Sequence, residues 1–364
     1  MDVAKGIIAS GGLALVATKG GRLTSEIEAA GGTVIALPVH SKNPLTILAN
    51  IFALRKIARD NQINIIHVRS RAPAWSALPA ARLSGAHYVT TYHGTYQAKS
   101  ALKRFYNSGM ARGDEVIANS AFIGERIRAE HPRHARNMTV IPRGTGLERH
   151  RNANIEPARL DALKVDWKLE DNKGSVVLLP GRLTGWKGQS VLIEAAAQLK
   201  DEGIEDFVIV LAGDPQGRDD YVKSLWDQIN AAGMNDRIRM VGHVADIPAA
   251  MALSDIVVSA STEPEAFGRV AVEAQASERP IIATDHGGAE ETVIGEGPDR
   301  TGWRITPGNA EDMAKALREA LAMPSEERSA MGARGRKNAA AFSVEAMVAS
   351  TLAVYEKLLG GPSK

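Results

Sequence analysis

E-P-E-A-F-G-R-V-A-V-E, residues Glu263 to Glu273, is the most telling segment of the chain. It follows a short apolar run, Asp255 to Ser259, and opens a helix near Gly268. A loop that leaves a parallel strand and enters a helix is where an α/β domain presents ligand-binding groups. The backbone N–H groups of Phe267 and Gly268 are expected to be unpaired donors at that helix start. Gly268 carries no Cβ, so a ligand can approach closely. Glu265 and Glu273 flank the terminus as acceptors, which suits a polyhydroxyl ligand. The plainer reading is a buried helix with a charged cap, favoured by the helix dipole alone.

Working outward, the same alternation of strand and helix fills the chain. Downstream of a polar stretch at 143–174, apolar runs Val176–Leu179, Phe207–Leu211, Ile238–Val241 and Pro280–Ala283 join 255–259. Upstream, Leu13–Ala17, Thr33–Leu37, Ile63–Val68, His87–Tyr92, Glu115–Ala118 and Met138–Ile141 read the same way. Amphipathic stretches lie between them, and two further helices end the chain near 325–340 and 343–359. Short apolar runs alternating with helices predict parallel sheets covered on both faces. The expected division is residues 1–165, residues 166–342, and a closing helix over 343–364.

Two more strand-to-helix loops carry chemistry. In P-G-R-L-T-G-W-K-G, Pro180 to Gly188, glycines allow a tight turn. Gly181, Arg182 and Lys187 there stand at a helix start, and two cations beside a helix dipole suit a diphosphate; a solvated basic turn is the alternative. D-H-G-G-A-E-E, Asp285 to Glu291, is a second Gly-rich loop, weak by itself. His93-Gly94 ends the strand H-Y-V-T-T-Y, where a histidine is either structural or faces a ligand. Arg69 and Arg71 follow another strand and could meet an anion or simply be solvated. Lys99 to Arg112 is a basic amphipathic stretch, with Leu102, Phe105, Tyr106 and Met110 as one apolar face. It suits an anionic membrane surface or a surface helix packed on its sheet.

Composition narrows the class. The 364 residues are 44% hydrophobic and 24% charged, with a formal charge of +2, and the pI is about 8.7. That balance is too weak to argue for nucleic acid. There are no cysteines, so disulfides and thiolate metal sites are excluded. No apolar run reaches the roughly 18 residues that span a bilayer, and the first residues lack a signal-peptide pattern. No D-x-D pair, H-E-x-x-H, G-x-S-x-G or Walker pattern occurs, so no metal is expected.

In combination, G-R-L-T-G-W-K-G-Q, E-P-E-A-F-G-R-V-A-V-E and H-G-G-A-E-E, in that order and each after a strand, resemble the retaining glycosyltransferases of the GT-B fold, family four. S-R-A-P-A-W-S-A (Ser70 to Ala77) and T-T-Y-H-G-T-Y are closest to bacterial lipopolysaccharide-core and related cell-surface sugar transferases. The resemblance implies two Rossmann-like α/β domains facing across a cleft, with the last helix crossing back to the first. It implies a nucleotide-diphosphate sugar donor, GDP- or UDP-linked, a glycan or glycolipid acceptor, no metal or other cofactor, and no nucleic acid. It implies a cytoplasmic enzyme, peripheral on the inner membrane face. Arg182 and Lys187 would hold the diphosphate, and Glu265 with the Phe267 and Gly268 backbone the donor sugar. Glu273 would accept from the ribose, and His93 would lie against the donor sugar from the opposite domain. Gly287, Gly288 and Glu291 match a further family loop. Members open with a strand and a Gly-Gly loop. Here Asp2 to Ser10 reads as a helix closed by Gly11-Gly12, so that strand and loop are expected to be missing, with two unpaired inner sheet edges left behind. A nucleotide-sugar epimerase and a non-catalytic sugar-nucleotide or glycan binder stay open beside the transferase.

Overall fold

The computed structural model describes residues 1–360 except Arg22, Gln97, Lys99 and Ala135. The chain forms two α/β units, one made of Met1–Gly144 with Val344–Lys364, the other of Thr145–Ser343. The division therefore falls after Gly144, not at 165. Helix Pro157–Asp166 belongs to the second unit because Arg159 makes a two-pronged pair with Asp246 there, Nε to Oδ2 at 2.8 Å and Nη2 to Oδ1 at 2.7 Å. Leu163 of the same helix packs on that unit's core.

The second unit is a six-stranded parallel sheet. The first unit contributes β1 (Leu15–Thr18), β2 (Thr33–Ala36), β3 (Ile65–Val68), β4 (His87–Tyr92), β5 (Glu115–Ala118) and β6 (Met138–Val140). The second contributes β7 (Ser175–Pro180), β8 (Phe207–Ala212), β9 (Ile238–Gly242), β10 (Ile256–Ser259), β11 (Ile281–Thr284) and β12 (Gly302–Ile305), in the order β12-β11-β10-β7-β8-β9. Side chains alternate across a strand. Val177, Leu179, Ile209 and Leu211 enter one core and Val176, Leu178, Val208 and Val210 the other. Both faces are covered by helices, which is why these strands are continuously apolar. β12 escapes the sequence reading because it holds only Gly-Trp-Arg-Ile. As an edge strand it exposes Arg304, whose Nη1 meets Asp285 at 3.1 Å.

The first unit holds two parallel sheets, β1-β2 and β3-β4-β5-β6, and no ladder joins β1 or β2 to β3 among the described residues. Helices start where side chains satisfy their free N–H groups: Asn43 accepts from Leu45 and Thr46, and Ser120 from Ile123. Helix Val344–Leu358 lays Val354 and Tyr355 on Val89 and Ile117. His67 is clamped beneath it, with Nδ1 2.5 Å from the Tyr355 hydroxyl and Nε2 2.7 Å from that of Thr91. No described helix is long and apolar enough to cross a membrane.

Two histidines, His67 half-buried and His150 buried, give the fold a pH dependence. Burial, then the charges of Arg69 and His93, hold His67 down to about 3. Burial, then Arg149, Arg269 and Arg336, hold His150 in the second unit down to about 4. An unfolded imidazole titrates near 6.5, so acid favours the unfolded chain. Stability from these groups is fully present above about pH 6.5 and is lost as pH falls toward their native values. Urea midpoints are expected to be level from pH 8 to 7 and to fall below 6.5, less steeply in His67→Gln. A midpoint that rises on acidification would contradict this.

Candidate active site

The sheet of the second unit has one topological switch. From β7 the chain moves to β8 and β9 on one side, then returns to β10 on the other. Loops leaving adjacent strands diverge there, and ligands of open α/β sheets bind in the crevice that results. Loop 181–188 leaves β7, loop 260–268 leaves β10, and loop 285–288 leaves the neighbouring β11.

The first loop is shaped by its glycines. Gly188 has φ 73°, and a Cβ there would stand 1.9 Å from the Ala260 carbonyl oxygen. It opens helix Gln189–Asp201. The turn Gly185–Lys187 puts the Trp186 ring beside both cations, with Lys187 Nζ 4.5 Å and Arg182 Cζ 6.0 Å from its centroid. Arg182 is exposed, its Nη1 3.4 Å from Gln216 Oε1. Lys187 is largely buried and turned the other way. Its Nζ donates to Glu265 Oε1 at 2.5 Å, so the two cations do not act as one free pair.

The second loop supplies the carboxylate. Ser261 donates its hydroxyl to the same Glu265 oxygen, and the Thr262 N–H donates to Trp186 O at 2.8 Å. The side chains of Lys187 and Glu265 retain 14% and 17% exposure, so their charges meet in a mostly dry setting. Gly268 has φ 77° and caps helix Arg269–Ala276. Among the described residues, nothing takes the N–H groups of Phe267 or Gly268. Glu273 lies one turn deeper, its Oε1 receiving Arg269 Nη2 at 2.6 Å with Arg149 Nη2 at 3.6 Å.

The third loop buttresses the second. The Gly288 N–H donates to Glu265 O at 2.9 Å. A Cβ on Gly287 would lie 2.5 Å from Glu265 O, and one on Gly288 would lie 2.2 Å from Phe267 C. Two backbones touch here, which only glycine permits. His286 Nε2 and the Thr284 hydroxyl donate to Ser261 O at 2.8 and 2.9 Å, fixing the residue that holds Glu265.

The structure therefore brings Gly181, Lys187, Glu265, Phe267 and Gly268 to one crevice, with Arg182 at its rim and Glu273 a helical turn away. His93 lies in the first unit. Arg69 Nε donates to its Nε2 at 3.0 Å, and burial, then Arg69 and Arg143, hold the ring neutral, down to about 3. Arg71 is packed, 4.6 Å over the Tyr96 ring and 3.2 Å from Asn107 Oδ1. The 99–112 helix does not present one apolar face. Leu102 and Phe105 are exposed while Met110 is buried, because helix Ala101–Ala111 projects by its first turns and sinks by its last. Lys99 lies outside the described residues. Sequence reasoning missed Ser261 and Arg149. Ser261 had a signal, standing four residues before Glu265 at the strand's end, whereas Arg149 reaches Glu273 only through the fold.

Known proteins resemble this chain in sequence and fold. A family profile described as "Glycosyl transferases group 1" matches residues 164–338, and one described as "Glycosyltransferase Family 4" matches residues 1–149. A glycosyltransferase from Rickettsia africae is 31% identical, with a TM-score of 0.89 over 98% of this chain and 93% of its own. Anabaena HepE, solved in complex with UDP, is 25% identical with a TM-score of 0.83, covering 98% of this chain and 94% of its own. A 2-deoxystreptamine glucosyltransferase of Streptomyces kanamyceticus is 27% identical over 322 residues, 84% of this chain and 80% of its own.

Proposed function

This chain belongs to the group 1 glycosyl transferases, and from that premise, a glycosyltransferase of GT-B fold, we propose that it moves a hexose from a UDP-linked donor to a glycan or glycolipid with retention at the anomeric carbon. The observation that carries the reading is the meeting of Lys187, Glu265 and the free Phe267 and Gly268 N–H groups at the β7/β10 switch. The UDP held by Anabaena HepE and the glucosyl transfer named for the Streptomyces relative support the donor.

In this reading the bond between the sugar's C1 and the β-phosphate oxygen breaks, and its electron pair stays on the diphosphate. Lys187, Arg182 and the helix start stabilise that charge. The sugar develops oxocarbenium character. The acceptor hydroxyl attacks C1 on the face the phosphate leaves and passes its proton to that phosphate. Glu265 holds the sugar's hydroxyls and Glu273 the ribose. No metal is needed for the charge, since the protein supplies cations at the crevice. We further propose a place in lipopolysaccharide-core or cell-surface polysaccharide synthesis, in the cytoplasm at the inner membrane face. Exposed Leu102 and Phe105 beside Lys103 and Arg104 support the last point.

Thermal stability of the full chain against UDP, GDP, ADP and their sugar conjugates tests this. A nucleotide at a hundred times its Kd adds about 2.7 kcal/mol. A shift with UDP, weakened in Arg182→Ala and lost in Lys187→Ala, is expected. A shift with GDP alone reassigns the donor base, and no shift with any nucleotide refutes the donor site.

A further inference from the structure

Glu273 is held in a way that helix stability does not explain. Its side chain keeps only 7% exposure, and two arginines meet one of its oxygens, Oε1. Arg269, the first residue of the same helix, donates from Nη2 at 2.6 Å. A cation at a helix start opposes the dipole, and an arginine four residues before a glutamate is the weaker order for such a pair. Arg149 brings its Nη2 to 3.6 Å from outside the helix. Among the described residues, no donor takes the other oxygen, Oε2.

Arg149 is delivered there by a turn fastened on both sides. It stands in one short 3-10 turn, Leu147–His150. Leu147 packs on the cluster of Phe267, Val272 and Ala276, which belong to the helix that carries Glu273 and to the loop before it. His150 is fully buried, its Nδ1 3.1 Å from the hydroxyl of Ser277, the residue that ends that helix. The Arg149 side chain between these anchors is 56% exposed. Its neighbours seat the turn, and its own contact is the one with Glu273.

The consequence is orientation. The terminal torsion of a glutamate is broad and two-fold, so a free carboxylate offers either oxygen to a ligand. Two guanidinium groups on Oε1 remove that freedom and leave Oε2 as the acceptor. Arg269 fixes one direction along the helix, and Arg149, arriving from another segment, fixes the second. We propose that Arg149 is a positioning residue that acts through Glu273 and sets how strongly the site prefers a ribonucleotide to its deoxy forms. The proposal rests on the reading that Glu273 accepts from the ribose of the donor nucleotide.

Titration of the full chain with UDP, GDP and their 2′-deoxy and 3′-deoxy forms tests this. Wild type is expected to bind the better nucleotide about ten- to a hundredfold more tightly than at least one of its deoxy forms, the range for a hydrogen bond to a charged group. Arg149→Ala is expected to weaken the ribonucleotide about five- to tenfold and that deoxy form by less than about twofold, so the preference shrinks. Arg149→Lys, which keeps the charge, is expected to regain most of it. In a Glu273→Gln chain, adding Arg149→Ala is expected to change no affinity by more than about twofold, since the residue acts through that carboxylate. The Arg149→Ala chain is expected to melt within about 4 °C of wild type, because the arginine is exposed. Equal weakening of every nucleotide in Arg149→Ala overturns the proposal and leaves the role of Glu273 standing, as does an unchanged preference. A wild type that binds ribo and deoxy forms alike overturns the ribose role of Glu273 and the proposal with it.

Discussion

Lys187→Ala is expected to lower kcat about a hundred- to a thousandfold, the range seen when one preorganised stabiliser of a leaving charge is removed. Two jobs end together. In the free protein Lys187 neutralises Glu265, and both are largely buried. On the proposed reading the same ammonium faces the departing diphosphate in the transition state. On that reading, without it the Glu265 carboxylate and the phosphate meet in a mostly dry crevice with Ser261, backbone N–H groups and Arg182 at the rim left to offset them. The variant also loses stability, by about 1–3 kcal/mol, since one partner of a mostly buried pair remains. Adding Glu265→Gln restores much of that stability but no activity, and this non-additivity is the mark of the direct pair. Turnover within threefold of wild type in Lys187→Ala would refute the assignment.

Gly188→Ala is expected to be among the most damaging single methyl additions in the second unit, since it combines a positive φ with a backbone clash. Its φ of 73° lies where an L-residue costs about 1–2 kcal/mol. The added Cβ would stand 1.9 Å from the Ala260 carbonyl oxygen and 2.7 Å from its carbon. Relief requires moving the end of β10, and Ser261 and Glu265 would move with it. A loss of at least about 3 kcal/mol is expected, with loss of nucleotide binding. Gly203→Ala is the control. Its φ is 79°, yet nothing lies within 4 Å of an added Cβ. It should cost about 1 kcal/mol and leave binding intact. Equal urea midpoints for the two variants would show that the contact with Ala260 does not matter.

Much of this could be read from the chain because a doubly covered parallel sheet writes itself as apolar runs, as in V-V-L-L and F-V-I-V-L. The three loops announced themselves by glycine after such runs. What could not be read depended on distance through space. Nothing in R-L-T-G-W-K says that Lys187 turns away from Arg182 toward Glu265. The paired glycines 287 and 288 read only as a weak Gly-rich loop; Gly287 does take a positive φ, 63°, and both are in addition required sterically by the backbone at Glu265 and Phe267. Helix 157–166 joins the second unit through Leu163 and through Arg159, whose partner lies 87 residues on. β12 was hidden by its shortness and by an arginine that an edge strand tolerates.

Tyr355 clamps His67 across 288 residues of sequence, and this sets an order of events on the ribosome. At roughly 5–20 residues per second, about 15–60 s pass between the emergence of the two. The second unit, continuous from Thr145 to Ser343, is synthesised whole in that interval. The first unit must wait, with Val89, Ile117 and Ile141 only partly covered, by Val3 and Ile7, until Val354 and Tyr355 arrive. The half of the protein that is translated first is therefore completed last, and for those seconds its apolar face is a natural client for a holding chaperone.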